Sequence, residues 1–216
     1  MELGLSFDFK ARYFKSGEIT EKTTQVWYVL HGYGQLAKYF MKKFEVLVQN
    51  NICVIAPEGL SRFYLEDLQT RSLGGSNRVG ASWMTRENRT MDIVNYVALL
   101  DTIHQKETAD LKIPITILGF SQGAATATRW ALNGNVDFAR LILWAGIFPP
   151  DMDFDAGHDI LQSKQVIAVF GDQDPFVTPE RLKEMKALSD QLVIDPRIIS
   201  FDGKHDLDEA TLRQLI

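Results

Sequence analysis

The sequence has very little cysteine and no long apolar run, and both absences limit the class of protein. Cys53 is the only cysteine, so the chain cannot form an internal disulfide, which fits a reducing compartment. No uninterrupted apolar stretch approaches the roughly 20 residues that a membrane-spanning helix needs. The first residues alternate apolar and polar side chains, so we expect no secretory leader, no membrane span and a cytoplasmic location.

The chain also has fewer basic residues than acidic residues. The 216 residues carry a formal net charge of −5, with 23 lysines and arginines against 28 aspartates and glutamates. Affinity for a phosphate backbone depends on a basic surface, so no nucleic-acid partner is expected. Hydrophobic residues make up 45% of the chain, which suffices for a sizeable core, and we expect one domain spanning residues 1–216.

Motifs for metals and nucleotides are missing as well. The chain has no H-E-x-x-H motif, no paired cysteines and no phosphate-binding G-x-x-x-x-G-K-[ST] loop. Four aspartates between residues 151 and 159 are spaced somewhat like calcium ligands. However, Gly157 stands outside the sixth position of such a loop, and Gln162 replaces the closing glutamate. The sequence therefore predicts neither a metal nor a cofactor.

Apolar strands and amphipathic helices alternate along the chain, after two alternating segments, 3–9 and 11–14, that predict a small antiparallel edge. Buried strands are predicted at 26–30, 52–56, 115–118, 141–145, 166–170 and 198–201. Helices are predicted around 40–48, 90–103, 122–133, 179–191 and 207–216. This alternation predicts an α/β fold with a mostly parallel central sheet covered by helices on both faces.

Two stretches read as long loops. Residues 57–89 exceed the usual length of a connection within a domain, and their interleaved aromatic residues favour a packed loop over a disordered one. Residues 151–159 read as an acidic loop. The shapes of 57–89 and 146–160 are expected to determine which ligand the chain can bind.

A nucleophile motif, Gly119-Phe120-Ser121-Gln122-Gly123, stands between a predicted strand and a predicted helix. In G-x-S-x-G the serine occupies a sharp strained turn, and the flanking glycines remove side chains that would collide with strand and helix. The amide of Gln122 then lies at a helix N-terminus, where it can stabilise an oxyanion. The alternative is a glycine-flanked serine that caps an ordinary helix.

A second oxyanion donor is predicted in Leu30-His31-Gly32-Tyr33-Gly34, directly after an early strand. The amide of Tyr33 is the candidate. His31 precedes the serine, whereas this kind of hydrolase orders its triad as serine, acid and histidine, so His31 is interpreted as structural.

The base and acid are predicted near the end of the chain. His205 follows the last predicted strand, at the sheet edge where ligands bind in open α/β folds. His104 and His158 are interpreted as solvated. Asp172 and Asp174 both follow the preceding strand, and Asp174 is favoured because a residue directly after a strand more often serves the turn.

These motifs, together with Ser82-Trp83 and the stretch 171–179, resemble the phospholipase/carboxylesterase family, which includes the acyl-protein thioesterases. The resemblance spans most of the chain. It implies a compact α/β-hydrolase fold with little or no cap domain, a triad of Ser121, Asp174 and His205, and an oxyanion hole of the Tyr33 and Gln122 amides. The chain departs from the family's common pattern at Gln35, Ala124 and Met84-Thr85, around the expected pocket.

The resulting hypothesis is a carboxylesterase or acyl-thioesterase that acts on a small-molecule acyl ester or thioester. Five aromatic residues are candidates for substrate binding, although loop anchoring in the core is an equal alternative for each: Phe63, Tyr64, Trp83, Phe148 and Phe176. A non-catalytic binding protein and a peptidase of the same fold are the alternative functions. The sequence leaves open whether the chain forms a homodimer.

Overall fold

A central sheet dominates the computed structural model, which describes Met1 and residues 3–216. The described residues form strands β1 (Tyr13–Ser16), β2 (Gln25–Leu30), β3 (Ile52–Pro57), β4 (Ser61–Tyr64), β5 (Val79–Ser82), β6 (Ile115–Phe120), β7 (Arg140–Trp144), β8 (Gln165–Gly171) and β9 (Arg197–Phe201). Seven of them pair in the order β1-β3-β2-β6-β7-β8-β9. Only β1 runs antiparallel to its neighbour within this sheet, so the predicted mostly parallel sheet is confirmed.

The helices follow the predicted alternation. They are α1 (Ala37–Phe40), α2 (Glu45–Val48), α3 (Leu68–Ser72), α4 (Arg89–Glu107), α5 (Gln122–Asn133), α6 (Phe154–Leu161), α7 (Pro179–Gln191) and α8 (Glu209–Gln214), with a 3₁₀ helix, Met41–Phe44, between the first two. Helix α7 begins where the sequence predicts, because Pro179 fits the first turn and the Thr178 hydroxyl accepts a hydrogen bond from the Arg181 amide.

Both faces of the sheet are buried, which explains why its central strands are continuously apolar. Every residue of β3 and of β6 is buried. One core packs α4, α5, α6 and α7 against one face, through residues such as Tyr96 and Trp130. The other core packs α1, α2 and α8 against the opposite face, through residues such as Phe44 and Leu212.

Three predictions from the sequence, two about loops and one about a strand, differ from the structure. Residues 57–89 are not one loop, because β4 and β5 pair into a separate two-stranded sheet and α3 lies between them. The acidic segment 151–159 contains the start of α6, since the Asp153 carboxylate accepts a hydrogen bond from the Ala156 amide and so caps that helix. Residues 3–9, predicted as part of the antiparallel edge, form no strand, and their large apolar side chains lie exposed.

Within the described part of the chain, no helix combines the length and the apolar character that crossing a membrane requires.

Candidate active site

A cleft of about 570 Å³ opens at the carboxyl edge of the main sheet. The turn between β6 and α5 contributes Ser121 and Gln122 to its lining, the turn after β2 contributes Tyr33, and the segment after β9 contributes His205. Parallel strands end at the same edge, so loops that are far apart in sequence meet there. The volume lies within the range of small-molecule sites, which is roughly 300–1,000 Å³.

The backbone of Ser121 is strained. Its φ of 54° and ψ of −116° lie outside the regions that non-glycine residues favour, and its amide is tied to the Trp144 carbonyl at 2.8 Å. The glycines on either side allow the turn. A Cβ on Gly119 would collide with the Gly123 carbonyl oxygen, and a Cβ on Gly123 would collide with the Leu30 carbonyl oxygen. The strand, turn and helix around Ser121 therefore have the geometry that G-x-S-x-G predicts.

His205 and Asp174 are joined by a hydrogen bond of 2.7 Å between Nδ1 and Oδ2. The Asp174 side chain is fully buried, and its other oxygen accepts a hydrogen bond of 2.9 Å from the Phe176 amide. Asp172 lies elsewhere, because its carboxylate is exposed and accepts from the Gly203 amide at 3.1 Å. Of the two acids considered from the sequence, Asp174 is the one in contact with the imidazole.

Aromatic rings hold the His205 imidazole in place. The ring centroids of Phe120 and Phe176 lie 4.9 Å and 4.8 Å from that of His205. The Trp144 indole donates to the Asp206 carbonyl at 3.0 Å and so anchors the segment that carries His205.

Ser121 and His205 line the same cleft, but their side chains are not hydrogen-bonded to each other within the described residues. With Nδ1 directed to a carboxylate, the imidazole presents Nε2 as the nitrogen that can accept a proton.

Tyr33 and Gln122, the residues whose backbone amides the sequence proposes as oxyanion donors, both line the cleft. Among the described residues, neither amide donates a hydrogen bond to another protein group. Gln122 is the first residue of α5, where helix geometry leaves the amide without an intrahelical acceptor and the helix dipole favours negative charge.

His31 is a structural histidine. It is fully buried, its ring stacks on Trp83 with centroids 4.9 Å apart, and its Nε2 accepts a hydrogen bond of 3.0 Å from the Gly59 amide. Its Nδ1 therefore carries the proton and donates to the Gly32 carbonyl. Burial lowers the pKa of His31 to about 4, so the ring is neutral at physiological pH.

The other histidines lie away from the cleft. The prediction that His104 is solvated is wrong, because its ring is buried and its Nδ1 lies 2.7 Å from the Thr108 hydroxyl. His158 is half-buried on α6, with Nδ1 at 2.9 Å from the Leu192 carbonyl. The aspartate cluster near it is also structural in part, since Asp151 pairs with Arg89 and Arg129.

Of the five aromatic residues considered for substrate binding, only Phe176 lines the cleft. The prediction is wrong for Trp83 and Phe148, which are each 1% exposed and lie in the core. Phe63 and Tyr64 are not among the described residues that line the cleft. Phe63 packs at the rim with its ring 5.1 Å from that of Tyr33, and Tyr64 faces solvent beneath the Arg71 guanidinium.

Sequence analysis missed most of the remaining lining. The cleft is also lined by Ala125, Ala145, Gly146, Ile147, Phe170, Val177 and Arg181. Three of these follow β7, whose carboxyl end lies beside that of β6, and no local sequence pattern gives this strand order. Apart from the His205 imidazole, the Arg181 guanidinium is the only basic side chain among the described lining residues.

Comparison with solved structures shows the same fold in several proteins. Acyl-protein thioesterase 2 from Zea mays matches with a TM-score of 0.68 and 22% identity over 95% of this chain and 96% of that chain. Esterase PE8 matches with a TM-score of 0.63 and 18% identity over 96% and 100%. SOBER1 from Arabidopsis thaliana matches with a TM-score of 0.65 and 15% identity over 88% and 95%. The predicted α/β-hydrolase fold is confirmed.

Comparison with curated protein sequences gives no significant match. A family model does match, and it agrees with the resemblance to phospholipase/carboxylesterase-type hydrolases at the level of fold and serine hydrolase class. The model described as Serine hydrolase (FSH1) matches residues 22–209, which is most of the chain, and the chain therefore belongs to this serine hydrolase family.

Proposed function

We propose that this serine hydrolase cleaves carboxylic esters or thioesters through an acyl-enzyme on Ser121. The observation that carries the proposal is the 2.7 Å bond between Asp174 and His205 in a cleft that Ser121 also lines from a strained turn. A nucleophile, a base and an acid that orients the base are the parts that acyl transfer to a serine requires.

In the first half of the reaction, the Ser121 oxygen attacks the substrate carbonyl carbon and His205 Nε2 takes the hydroxyl proton. Asp174 keeps the proton of Nδ1 in place and stabilises the imidazolium that forms. The tetrahedral intermediate then collapses. The bond to the leaving alcohol or thiol breaks, the imidazolium returns its proton to that leaving group, and the acyl group stays on Ser121.

In the second half, His205 removes a proton from water as the water oxygen attacks the acyl carbon. The new tetrahedral intermediate releases Ser121, which regains a proton from the imidazolium, and the carboxylic acid leaves. Neither half of this proposed reaction uses a cofactor.

The amides of Tyr33 and Gln122 serve as the oxyanion hole in this proposal. Both residues line the cleft, and the backbone amide of Gln122 adds the positive end of the α5 dipole. Donors that are fixed before reaction stabilise the charge that develops on the carbonyl oxygen, and loss of one such donor costs roughly 100- to 1,000-fold in kcat.

The cleft favours an acyl group over a polar substrate. Its lining away from the proposed triad and oxyanion amides is apolar apart from Arg181, and this includes Ala125, Ile147, Phe170 and Val177. The names of the fold neighbours, acyl-protein thioesterase and esterase, are in line with this substrate class.

Ser121→Ala tests the proposal. We expect a loss of at least about 10⁴-fold in kcat toward p-nitrophenyl butyrate and octanoyl thioesters, because the nucleophile is removed. A fluorophosphonate probe should label the natural protein at Ser121 and not the variant. Ser72→Ala, on exposed α3, is the matched control and should keep full activity and labelling. Undiminished turnover by folded Ser121→Ala would rule out the proposed nucleophile.

A further inference from the structure

We infer that residues 81–84 form a brace that sets the spacing of the two oxyanion amides, with the Gln122 side chain as its positioning residue. The inference rests on the proposed function. It concerns the side chain of Gln122, whereas the proposed oxyanion hole uses only the backbone N–H of that residue.

The first end of the brace holds the turn that carries Tyr33. The Gly34 amide donates to the Ala81 carbonyl at 2.9 Å, and the Ala81 amide donates to the Gln35 carbonyl at 3.1 Å. These two bonds form an isolated antiparallel bridge between Gln35 and Ala81. Because Ala81 is fully buried, water does not compete for the bridge.

The second end holds the side chain of Gln122. Its Oε1 accepts from the Trp83 amide at 3.1 Å, and its Nε2 donates to the Met84 carbonyl at 2.9 Å and to the Ser82 hydroxyl at 3.2 Å. The Ser82 hydroxyl in turn donates to the Met84 carbonyl at 2.8 Å. One side-chain amide therefore satisfies donors and acceptors of three consecutive residues.

Trp83 makes a second connection between the two ends. Its indole donates to the His31 carbonyl at 2.8 Å and its ring stacks on the His31 imidazole, directly before the turn that carries Tyr33. The residue is 1% exposed. Its packing in the core, where the sequence had suggested substrate contact, gives it this positioning role.

The spacing of the two amides decides how strongly they bind an oxyanion, since a misplacement of about 1 Å can cost on the order of 100-fold in rate. Tyr33 and Gln122 belong to different strand-to-helix turns, and the 81–84 segment hydrogen-bonds to both. Loosening the brace should therefore weaken binding of the transition state and leave binding of the ground state nearly unchanged.

Gln122→Met tests the inference because it keeps the backbone amide and the length of the side chain but removes its polar atoms. We expect kcat for p-nitrophenyl butyrate to fall roughly 10- to 100-fold with KM within about threefold. The inhibition constant of a trifluoromethyl ketone, whose adduct with serine carries an oxyanion, should rise by the same factor as kcat/KM falls. Gln162→Met, on the surface after α6, is the matched control and should match the natural protein.

Ser82→Ala is a milder second variant, which we expect to fold even if Gln122→Met does not, because it removes one hydroxyl and leaves the backbone bonds. It should lower kcat less than Gln122→Met and in the same direction. A kcat within twofold of the natural protein for folded Gln122→Met would overturn the brace. Reduced stability with unchanged ketone inhibition would overturn it too, since that is a structural role alone. Loss of activity in Ser121→Ala would support the proposed function whichever of these results Gln122→Met gives, so the two proposals can fail separately.

Discussion

The two sides of the cleft are built differently. The side that carries the proposed nucleophile, called the nucleophile side (residues 119–123), is shaped by backbone atoms packed so closely that Gly119 and Gly123 have no room for a Cβ. The base side, residues 172–176 with 203–206, is shaped by side chains: the Asp174 carboxylate, the rings around His205 and the Trp144 indole. Backbone packing gives a geometry that tolerates almost no substitution, whereas side-chain contacts allow graded changes in activity.

The position of each side in the sheet explains the difference. Strand β6 is central and completely buried, so the turn that follows it is enclosed by its neighbours. Strand β9 is the outermost strand on its side of the sheet and is only partly buried. Segments at an edge have fewer neighbours, so side-chain bonds such as that between Asp174 and His205 add to the few backbone bonds, such as that from the Gln173 amide to the Gly203 carbonyl, that hold this side.

The largest effect is expected at Asp174. Asp174→Asn should lower kcat roughly 10³- to 10⁴-fold with little change in fold, because an amide at this place favours the wrong tautomer of the imidazole. Asp172→Asn is the matched control, since Asp172 contacts the Gly203 amide and not His205. Steady-state kinetics on p-nitrophenyl butyrate measures both. Equal losses for the two variants would contradict the assignment of Asp174.

Glycine substitutions compare the two sides directly. Gly123→Ala should destabilise the protein by more than about 4 kcal/mol or prevent folding, because the new methyl group meets the backbone of Leu30 and His31. Gly203→Ala, on the base side, should cost only about 1–3 kcal/mol, because its Cβ meets the Phe201 ring, which can shift. Urea unfolding measures both changes.

Gly4→Ala is the control for these glycine variants, since a Cβ there would have no neighbour within 4 Å. A free energy of unfolding that falls equally in Gly123→Ala and Gly203→Ala would remove the distinction between the two sides.

The smallest effect concerns acid stability, which we expect to depend on His31 behind the nucleophile side. The pKa of this histidine is lowered from 6.5 to about 4 by burial. Below pH 6.5 the unfolded chain binds a proton at His31 that the folded chain does not bind until about pH 4, so stability falls as the pH falls through this window. The loss at its lower end is about 3 kcal/mol.

His31→Gln checks this pH dependence, because glutamine does not titrate. The variant should be less stable than the natural protein at pH 7, since the ring's hydrogen bonds are lost, and the difference in unfolding free energy should narrow as the pH approaches 4. His158→Gln, on α6, is the matched control. A difference that stays constant from pH 7 to pH 4 would show that His31 does not cause the acid lability.

The prediction of the site from the sequence worked best where a few neighbouring residues decide the geometry. The motif 119–123 encodes its own turn, and Thr178 and Pro179 encode the start of α7, because glycine sterics and helix caps act within a few residues. It failed for Trp83 and Phe148, because no local pattern shows whether an aromatic side chain on a loop faces the core or a cleft.

Local sequence patterns suffice for the alternating α/β architecture, the strained turn at Ser121 and the chain order of Ser121, Asp174 and His205. Three features follow only from the three-dimensional fold: the contact between Asp174 and His205, the lining of the cleft by Arg181 and the segment after β7, and the hydrogen bonds of residues 81–84 to the turn that carries Tyr33 and to the Gln122 side chain. The physical reason is that these contacts depend on which strands lie side by side, and strand order is set by packing across the whole sheet.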